Sequence, residues 1–348
     1  TIFPVLFGSI HGQGNTISNI QDSLFSLVSD TGVVQDLTVT GEVDHKDNLN
    51  YGLISEYNSG ELLNITIKNT NIKSDAIYTG SGVGTNRGLM KDCTVFNTTI
   101  HSKYGNTGGA VGKVSKKIKN CEINKCKVVG EETVGGLTGV IYGVLKNCTV
   151  KDSQIEGVNE VGGIVGQSDT FSETKCASSI RNTVSGVFKV GGFAGEVQGD
   201  VEFTNSNADV SGDEKIGGFA GQLMESDIYS CTSRDGNVIG KGEVGGFAGE
   251  AINSTIQDSF TTTIIKSEQQ TGGFIGMCHF STLENCFSST AIQSIDPSAI
   301  VYEVSKLDDD DIKNCYWDIT KSGIQSSEIG NGVHNLPVAE LKTIVLLD

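Results

Sequence analysis

The six-residue sequence VGGFAG occupies positions 190–195, and close copies of it recur along most of the chain. IGGFAG stands at 216–221, VGGFAG returns at 244–249, and VGGLTG lies earlier at 134–139. The first glycines of the complete and shortened copies are Gly80, Gly108, Gly135, Gly162, Gly191, Gly217, Gly245 and Gly272. Successive copies start 26–29 residues apart. A fixed period of this size is the signature of a repeat architecture.

A second series of positions keeps the same period. Its members are Leu37, Ile65, Cys93, Cys121, Cys148, Cys176, Thr204, Cys231, Ser259, Cys286 and Cys315. The segments around this series, such as residues 63–68 and 147–152, alternate in the manner of strands, and no sustained helical spacing occurs before about residue 338. The sequence therefore predicts an all-β fold, a parallel β-helix (β-solenoid) of about eleven coils with 27–28 residues per coil. We expect residues 1–318 to form the solenoid and 319–348 a short C-terminal capping or docking segment.

The composition excludes several other classes of protein. Only 45 of the 348 residues are Gly and 3 are Pro, whereas collagen needs Gly at about one-third. The hydrophobic content of 37% is too high for a disordered linker. The net charge of −17 disfavours a nucleic-acid partner, and no run of apolar residues is long enough to predict a membrane span.

Stacking assigns a role to the repeated phrase. We expect its glycines to lie at corners, where they can adopt positive φ and leave room for the next coil. A phosphate-binding loop is the alternative, but one phosphate does not need eight copies and no P-loop Lys-Ser/Thr follows. Val190 and Phe193 are both expected to point inward. Four phenylalanines should stack on one another: Phe193, Phe219, Phe247 and Phe274.

The cysteines have three interpretations: disulfides, metal ligands, or packing as small buried side chains. The slot also accepts Leu37, Thr204 and Ser259, which favours packing. We therefore predict buried free thiols, a structural ladder made by Cys93, Cys121, Cys148, Cys176, Cys231, Cys286 and Cys315. Cys126 and Cys278 lie off this ladder.

The residue before each ladder position is usually Asn or Asp, for example Asp92, Asn120 and Asn285. An outward column of this kind is expected to make turn hydrogen bonds, with calcium binding as the lesser alternative. Four Asn-x-Ser/Thr sequons permit N-glycosylation at Asn64, Asn97, Asn147 and Asn253.

The repeated phrase and the apolar-x-x-Cys/Ile strand after it resemble the GLUG-motif repeat. That repeat occurs in bacterial and protist surface proteins and in the stalk of some IgA-cleaving peptidases. Residues 6–17 resemble the first coil of such arrays, and NCYWD at 314–318 with VAELK at 338–342 resembles their usual exit. The resemblance covers nearly the whole chain and implies a right-handed β-helix with an extracellular, cell-surface role. The segment that normally precedes the first coil is missing, so we expect a fragment or a processed chain.

No catalytic motif accompanies the repeat. The HExxH helix of the peptidase relatives and a GxSxG elbow are both missing from the sequence, and the acidic residues are spread over many coils. We therefore expect no catalytic, cofactor-binding or metal residues. One dense acidic run is interpreted as a solvated loop or, less favoured, a calcium site: Asp308, Asp309, Asp310 and Asp311.

The expected function is that of an extracellular structural or adhesive protein, a rigid spacer or filament subunit without catalysis. The alternative is a carbohydrate- or ligand-binding module, for which Trp317 and Tyr302 are the candidate contacts; a polysaccharide lyase or hydrolase is less favoured. The expected partners are other protein subunits stacked end-on or a host or cell-surface ligand.

Overall fold

The repeat folds into a stack of similar turns in a computed structural model that describes residues 1–46, 49–298, 300–305, 312–324 and 333–336. The chain is nearly all β, with parallel sheets stacked as a solenoid of about eleven turns, which confirms the predicted fold class. In the central turns the chain passes through one strand of a first sheet, one strand of a second sheet and then three short strands of a third sheet. The turn that begins at Asn106–Gly108 continues through Val111–Val114, Lys117–Lys119, Glu122–Asn124 and Lys127–Val129.

The strands of the three sheets have the following bounds. Sheet A contains Phe3–Leu6, Phe25–Val28, Ser55–Asn58, Val83–Asn86, Val111–Val114, Thr138–Ile141, Val165–Ser168, Ala194–Val197, Ala220–Met224, Ala248–Ile252, Ile275–His279 and Val301–Ser305. Sheet B contains Ser9–His11, Thr16–Ile20, Val33–His45, Glu61–Lys68, Asn71–Ser74, Leu89–Lys91, Thr94–Phe96, Thr99–Ser102, Lys117–Lys119, Glu122–Asn124, Lys127–Val129, Val144–Lys146, Thr149–Lys151, Gln154–Glu156, Glu173–Lys175, Ser178–Ser185, Asp200–Glu202, Asn205–Ser211, Asp227–Tyr229, Thr232–Ser233, Asn237–Gly240, Thr255–Gln257, Phe260–Thr261, Ile264–Ser267, Thr282–Glu284, Phe287–Ser288, Ala291–Gln293, Ile312–Lys313, Cys315–Asp318 and Val333–Leu336. Sheet C contains Asn50–Tyr51, Tyr78–Gly80, Asn106–Gly108, Thr133–Gly135, Val161–Gly162, Phe188–Gly191, Glu214–Gly217, Gly242–Gly245, Gln270–Gly272 and Asp296–Ser298.

The interior is built from columns of equivalent side chains. Ile118 lies opposite Leu145 in the next turn, and Val134 lies opposite Val161. The predicted phenylalanine stack is confirmed: Phe193, Phe219, Phe247 and Phe274 are fully buried, with centroid separations of 4.9, 4.7 and 4.8 Å between successive rings. These separations match the ~4.8 Å between neighbouring strands, so ring stacking and strand pairing reinforce each other. Val190 is also fully buried, as predicted.

The glycines of the repeated phrase allow close approach of the backbone. Positive φ among the described glycines is confined to Gly14, Gly105, Gly199 and Gly323, none of which belongs to the phrase. The prediction of positive φ at these corners is therefore wrong, whereas the prediction of close approach is confirmed. A Cβ atom on Gly136 would lie 2.2 Å from the carbonyl oxygen of Gly163 in the next turn.

The left-handed conformation occurs at 25 described non-glycine residues, among them the whole Asn/Asp column. Its eleven members have φ between 50° and 56° and are Asp36, Asn64, Asp92, Asn120, Asn147, Cys176, Phe203, Ser230, Asp258, Asn285 and Asn314. Asn and Asp tolerate this region better than other non-Gly residues. Neighbouring side chains also bond along the column: Asn120 Nδ2 donates to Asp92 Oδ1 at 2.9 Å, and Asn285 Nδ2 donates to Asp258 Oδ1 at 2.9 Å.

The C-terminal part contains one short helix and one further strand. Helix α1, Ile319–Ser322, starts after Asp318, whose side chain accepts from the backbone N–H groups of Thr320 and Lys321, and it ends at Gly323 in the left-handed conformation. Strand Val333–Leu336 pairs in parallel with Cys315–Asp318. The last part of the predicted capping or docking segment, residues 338–348, and the four aspartates of the acidic run lie outside the described residues.

Substituting Gly191 tests the close approach. A Cβ atom there would lie 2.1 Å from the carbonyl oxygen of Ala194 and 2.6 Å from the Cα of Ala220. We expect Gly191→Ala to lower the free energy of unfolding by about 1–3 kcal/mol, because the backbone must move apart. The matched control is Gly242→Ala, whose Cβ would meet nothing closer than 3.8 Å, and it should stay within about 0.5 kcal/mol of the wild type. Urea denaturation measures both; equal losses would contradict the close-approach role.

Candidate functional site

A row of charged and amide side chains runs along the solenoid where sheets A and C meet. The chain leaves sheet C at Gly191 and enters sheet A at Ala194, so only two residues form the reversal. Side chains immediately before and after the phrase are therefore brought together. We call this row the polar seam, and its members are Glu160, Gln167, Lys189, Glu196, Lys215, Gln222, Glu243, Glu250 and His279.

The first cluster of the polar seam surrounds Glu196. This side chain is 3% exposed and pairs with Lys189 of the same turn. Lys189 Nζ also lies 3.6 Å from Glu160 of the preceding turn. Gln167 Nε2 and Gln198 Nε2 donate to Glu196 Oε1 at 3.1 and 2.8 Å. The buried carboxylate is thus neutralised by one ammonium group and held by two amides.

These contacts fix the ionisation of the pair. Burial alone would raise the pKa of Glu196, but the hydrogen bonds from Lys189, Gln167 and Gln198 outweigh it and hold that pKa below its usual value. Burial likewise opposes the charge of Lys189, yet Glu196 and Glu160 raise its pKa above the usual value. Both groups stay charged around neutral pH. A general acid or base needs a pKa close to the working pH, so this pair is suited to structural support.

The second cluster lies around Glu250, two turns further along. Lys215 Nζ is 2.7 Å from Glu250 Oε2, Gln222 Nε2 donates to the same carboxylate, and His279 Nε2 lies 3.8 Å from Glu250 Oε1. Glu250 is 5% exposed. Within the part of the chain that the structure describes, no three His, Cys, Asp or Glu side chains are grouped so that they could hold a metal ion.

Glu243 is the one member of the polar seam whose ionisation is disfavoured. Burial raises the pKa of its carboxyl above the usual value, and the nearby charges of Glu250 and Glu214 act in the same direction against the opposing effect of Lys215. Its Oε2 atom is buried and has no hydrogen-bond partner among the described residues.

The sequence did contain a signal for the polar seam. Lys189 and Glu196 flank one copy of the phrase, and Glu243 and Glu250 flank another, each pair seven residues apart. The acidic residues are dispersed along the sequence, and they come together only because the chain reverses direction within the phrase.

The cysteine ladder is placed in the interior, with one correction. Cys93, Cys121, Cys148, Cys231, Cys286 and Cys315 are buried free thiols, and so is Cys126 away from the ladder. Cys278, also off the ladder, is buried too. Cys176 was assigned to the ladder wrongly. Thr149 pairs with Ser178, so the residue stacked on Cys148 is the buried Ala177. Cys176 itself is exposed in the Asn/Asp column with φ of 56°.

The four sequon asparagines are exposed and left-handed, with φ of 50° at Asn64, 47° at Asn97, 52° at Asn147 and 48° at Asn253. Three of them use the side-chain amide nitrogen in bonds along the stack. Asn97 Nδ2, for example, donates to Asn69 Oδ1 at 2.7 Å. A glycan would attach to this same nitrogen, so glycosylation of the folded chain would have to replace these bonds.

Trp317 is not available as a glycan contact. It is 3% exposed, and its Nε1 donates to the carbonyl oxygen of Ile324 at 3.1 Å. The prediction that Trp317 could bind a surface ligand is therefore wrong, because the ring completes the core of the last turns. The side chain of Tyr302 lies outside the described residues.

Comparisons with known proteins add little about function. Neither a scan against protein-family models nor a search of curated proteins finds a match. Among solved structures, the chain is similar to a "putative immunoglobulin A1 protease" from Bacteroides ovatus, at 15% identity and a TM-score of 0.36, over 89% of this chain and 80% of that one. A similarity this low supports no inference about activity. No helix in the described ranges is long and apolar enough to cross a membrane.

The difference in cysteine exposure leads to a labelling prediction. Burial raises the pKa of Cys231 to about 12 and that of Cys126 to about 11, which suppresses the reactive thiolate. We expect a maleimide to modify the native protein at Cys176 alone and to modify all nine cysteines after denaturation. Intact-protein mass spectrometry gives the count. Cys176→Ser should abolish native labelling, and rapid labelling of that variant would contradict the buried ladder.

The raised pKa of Glu243 predicts a pH-dependent gain in stability on substitution. A carboxyl whose pKa is higher in the folded than in the unfolded state lowers stability while it is ionised, and this penalty disappears as the pH falls through the folded-state pKa. We expect Glu243→Gln to raise the free energy of unfolding at neutral pH by on the order of 1 kcal/mol, and the gain to fade in acid. The control Glu214→Gln removes an exposed charge nearby and should change little. Urea titrations across the pH range would refute the idea if both variants behaved alike.

Proposed function

We propose that this chain is a non-catalytic, rigid spacer segment of an extracellular surface protein. The observation that supports the proposal most directly is the continuous parallel pairing of sheet A along the stack. From Phe3 to Val301, each strand of sheet A pairs in parallel with its equivalent in the next turn. Each turn therefore contacts mainly its neighbours, and the stack extends in one direction.

The solenoid is rigid because backbone hydrogen bonds and stacked side chains connect each turn to the next. Bending the solenoid would lengthen backbone hydrogen bonds on one side and compress side-chain columns on the other. The phenylalanine stack and the Asn/Asp column lie along the axis and resist both changes. At about 4.8 Å per turn, eleven turns give a rod of roughly 50 Å, a length suited to holding a neighbouring module away from a surface.

The site chemistry is consistent with a structural role. The paired charges of the polar seam neutralise each other, and the pKa values of Glu196 and Lys189 are shifted away from neutrality. The GLUG-like phrase and the exposed sequons are the support for an extracellular location. End-on stacking with another subunit is the proposed contact, since every turn of the solenoid already pairs through its backbone with an equivalent turn.

Spin-label distances test the rod directly. Cys176 and Asp36 occupy the same column five turns apart, so a label at Cys176 and one at Asp36→Cys should be about 24 Å apart. In a Cys176→Ser background, labels at Asp36→Cys and Asn285→Cys span nine turns and should be about 43 Å apart. We expect narrow distributions in double electron–electron resonance.

The two spin-label pairs serve as controls for each other. In a rigid stack, the distance between the labels must grow in proportion to the number of turns that separates them. A broad or shortened distribution for the longer pair would contradict the spacer role. On intact source cells, failure of a membrane-impermeant maleimide to reach Cys176 would contradict the surface location.

A further inference from the structure

Charge is divided unevenly along the rod. Residues 86–152 contain eleven Lys and Arg against five Asp and Glu, a net charge of +6 within a chain of −17. The remainder of the chain therefore carries −23. The basic side chains belong to about two and a half consecutive turns, so they form a positive band around an otherwise acidic solenoid.

Within this band and into the turn that follows it, lysines stack in register on the outer face of sheet B. Lys91 pairs with Lys119, Lys119 with Lys146, and Lys146 with Lys175. We call these four residues the lysine ladder. They repeat at the strand spacing of about 4.8 Å, in single file along the axis of the rod.

The two ends of the lysine ladder are neutralised and its middle is not. Lys91 Nζ lies 3.3 Å from Asp92, and Lys175 Nζ lies 2.9 Å from Glu173 and 3.3 Å from Glu202. No carboxylate of the described residues lies within ion-pair distance of Lys119 or Lys146. The adjacent Lys116 and Lys117 are exposed and equally without an ion pair in these ranges.

Folding alone does not favour this arrangement, because like charges directly opposite each other on neighbouring strands are destabilising. The inward neighbours of the ladder, such as Ile118 and Leu145, already supply the apolar contacts that the turn needs. A bound polyanion would turn the repulsion between Lys119 and Lys146 into attraction to the ligand.

We propose that the lysine ladder binds a linear polysaccharide that carries a carboxylate on each sugar. The single file of charges matches an extended chain lying along the rod, since successive sugars would present successive carboxylates. Asn147 and Thr149 lie beside the ladder and can bond to sugar hydroxyls, whereas the amide of Asn120 already bonds to Asp92 and Asn147. Single-stranded nucleic acid requires aromatic platforms, which these neighbours do not provide. This inference does not depend on the proposed spacer function.

The experiment measures binding of the whole chain to alginate oligomers by biolayer interferometry at low and moderate salt. Neutral dextran and a single-stranded oligodeoxynucleotide of matched length are the comparison ligands. We expect Lys119→Gln/Lys146→Gln to weaken alginate binding by about tenfold or more at low salt and to reduce the slope of log affinity against log salt by roughly two contacts. The matched control Lys73→Gln/Lys266→Gln removes two exposed lysines elsewhere in sheet B and should weaken binding less than about twofold.

Urea denaturation separates loss of binding from loss of folding. The ladder variant should unfold at the same urea concentration as the wild type or a higher one, because it removes a like-charge contact. The proposal is overturned if wild type does not bind alginate, if dextran or the oligonucleotide binds as tightly, or if the control pair loses as much affinity. Selective loss in the ladder variant with intact stability supports it.

Discussion

The whole structure depends on one constraint: every turn must fit a copy of itself at the spacing of parallel strands. A side chain is tolerated at a given position only if its equivalents above and below can lie about 4.8 Å away. Aromatic rings satisfy this by stacking, as Phe219 and Phe247 do with planes 7° apart. Amides satisfy it by donating to the turn below, as Asn120 does to Asp92. The backbone satisfies it at Gly136, where even a Cβ atom would collide with the next turn.

This constraint explains why the period and the fold class could be predicted from the sequence. Because each turn packs against equivalent turns, the same packing requirement recurs every 27–28 residues. The phenylalanine stack could therefore be predicted from the spacing alone. It also explains the error at Cys176. Counting residue types favoured a cysteine, but a 29-residue step moves the register by one, and the small Ala177 fills the pocket. The pocket accepts both Leu37 and Thr204, so the residue type alone does not show which residue of a given turn fills it.

The local backbone was less predictable for a related reason. Glycine is compatible both with positive φ and with close approach, and the sequence does not distinguish the two. The structure assigns close approach to the glycines and the left-handed corner to the Asn/Asp column, including Phe203 and Cys176. The polar seam was missed because the reversal at Gly192 and Phe193 converts a separation of seven residues into a contact. Its members are also drawn from turns some 27 residues apart, which no local pattern connects.

In a solenoid, the outward positions that vary from turn to turn are therefore the ones that indicate function. The interior columns must repeat, because each member packs against its own copies. The outer face of sheet B has no such requirement: the column that contains Lys119 and Lys146 continues as Glu202, Tyr229 and Gln257. A run of like charges within that column is opposed by the stacking that builds the fold, whereas a run of apolar residues inside is favoured by it. The composition of the whole chain conceals this difference, since an excess of acid elsewhere outweighs the positive band. Charge in such a protein has to be followed turn by turn along the axis.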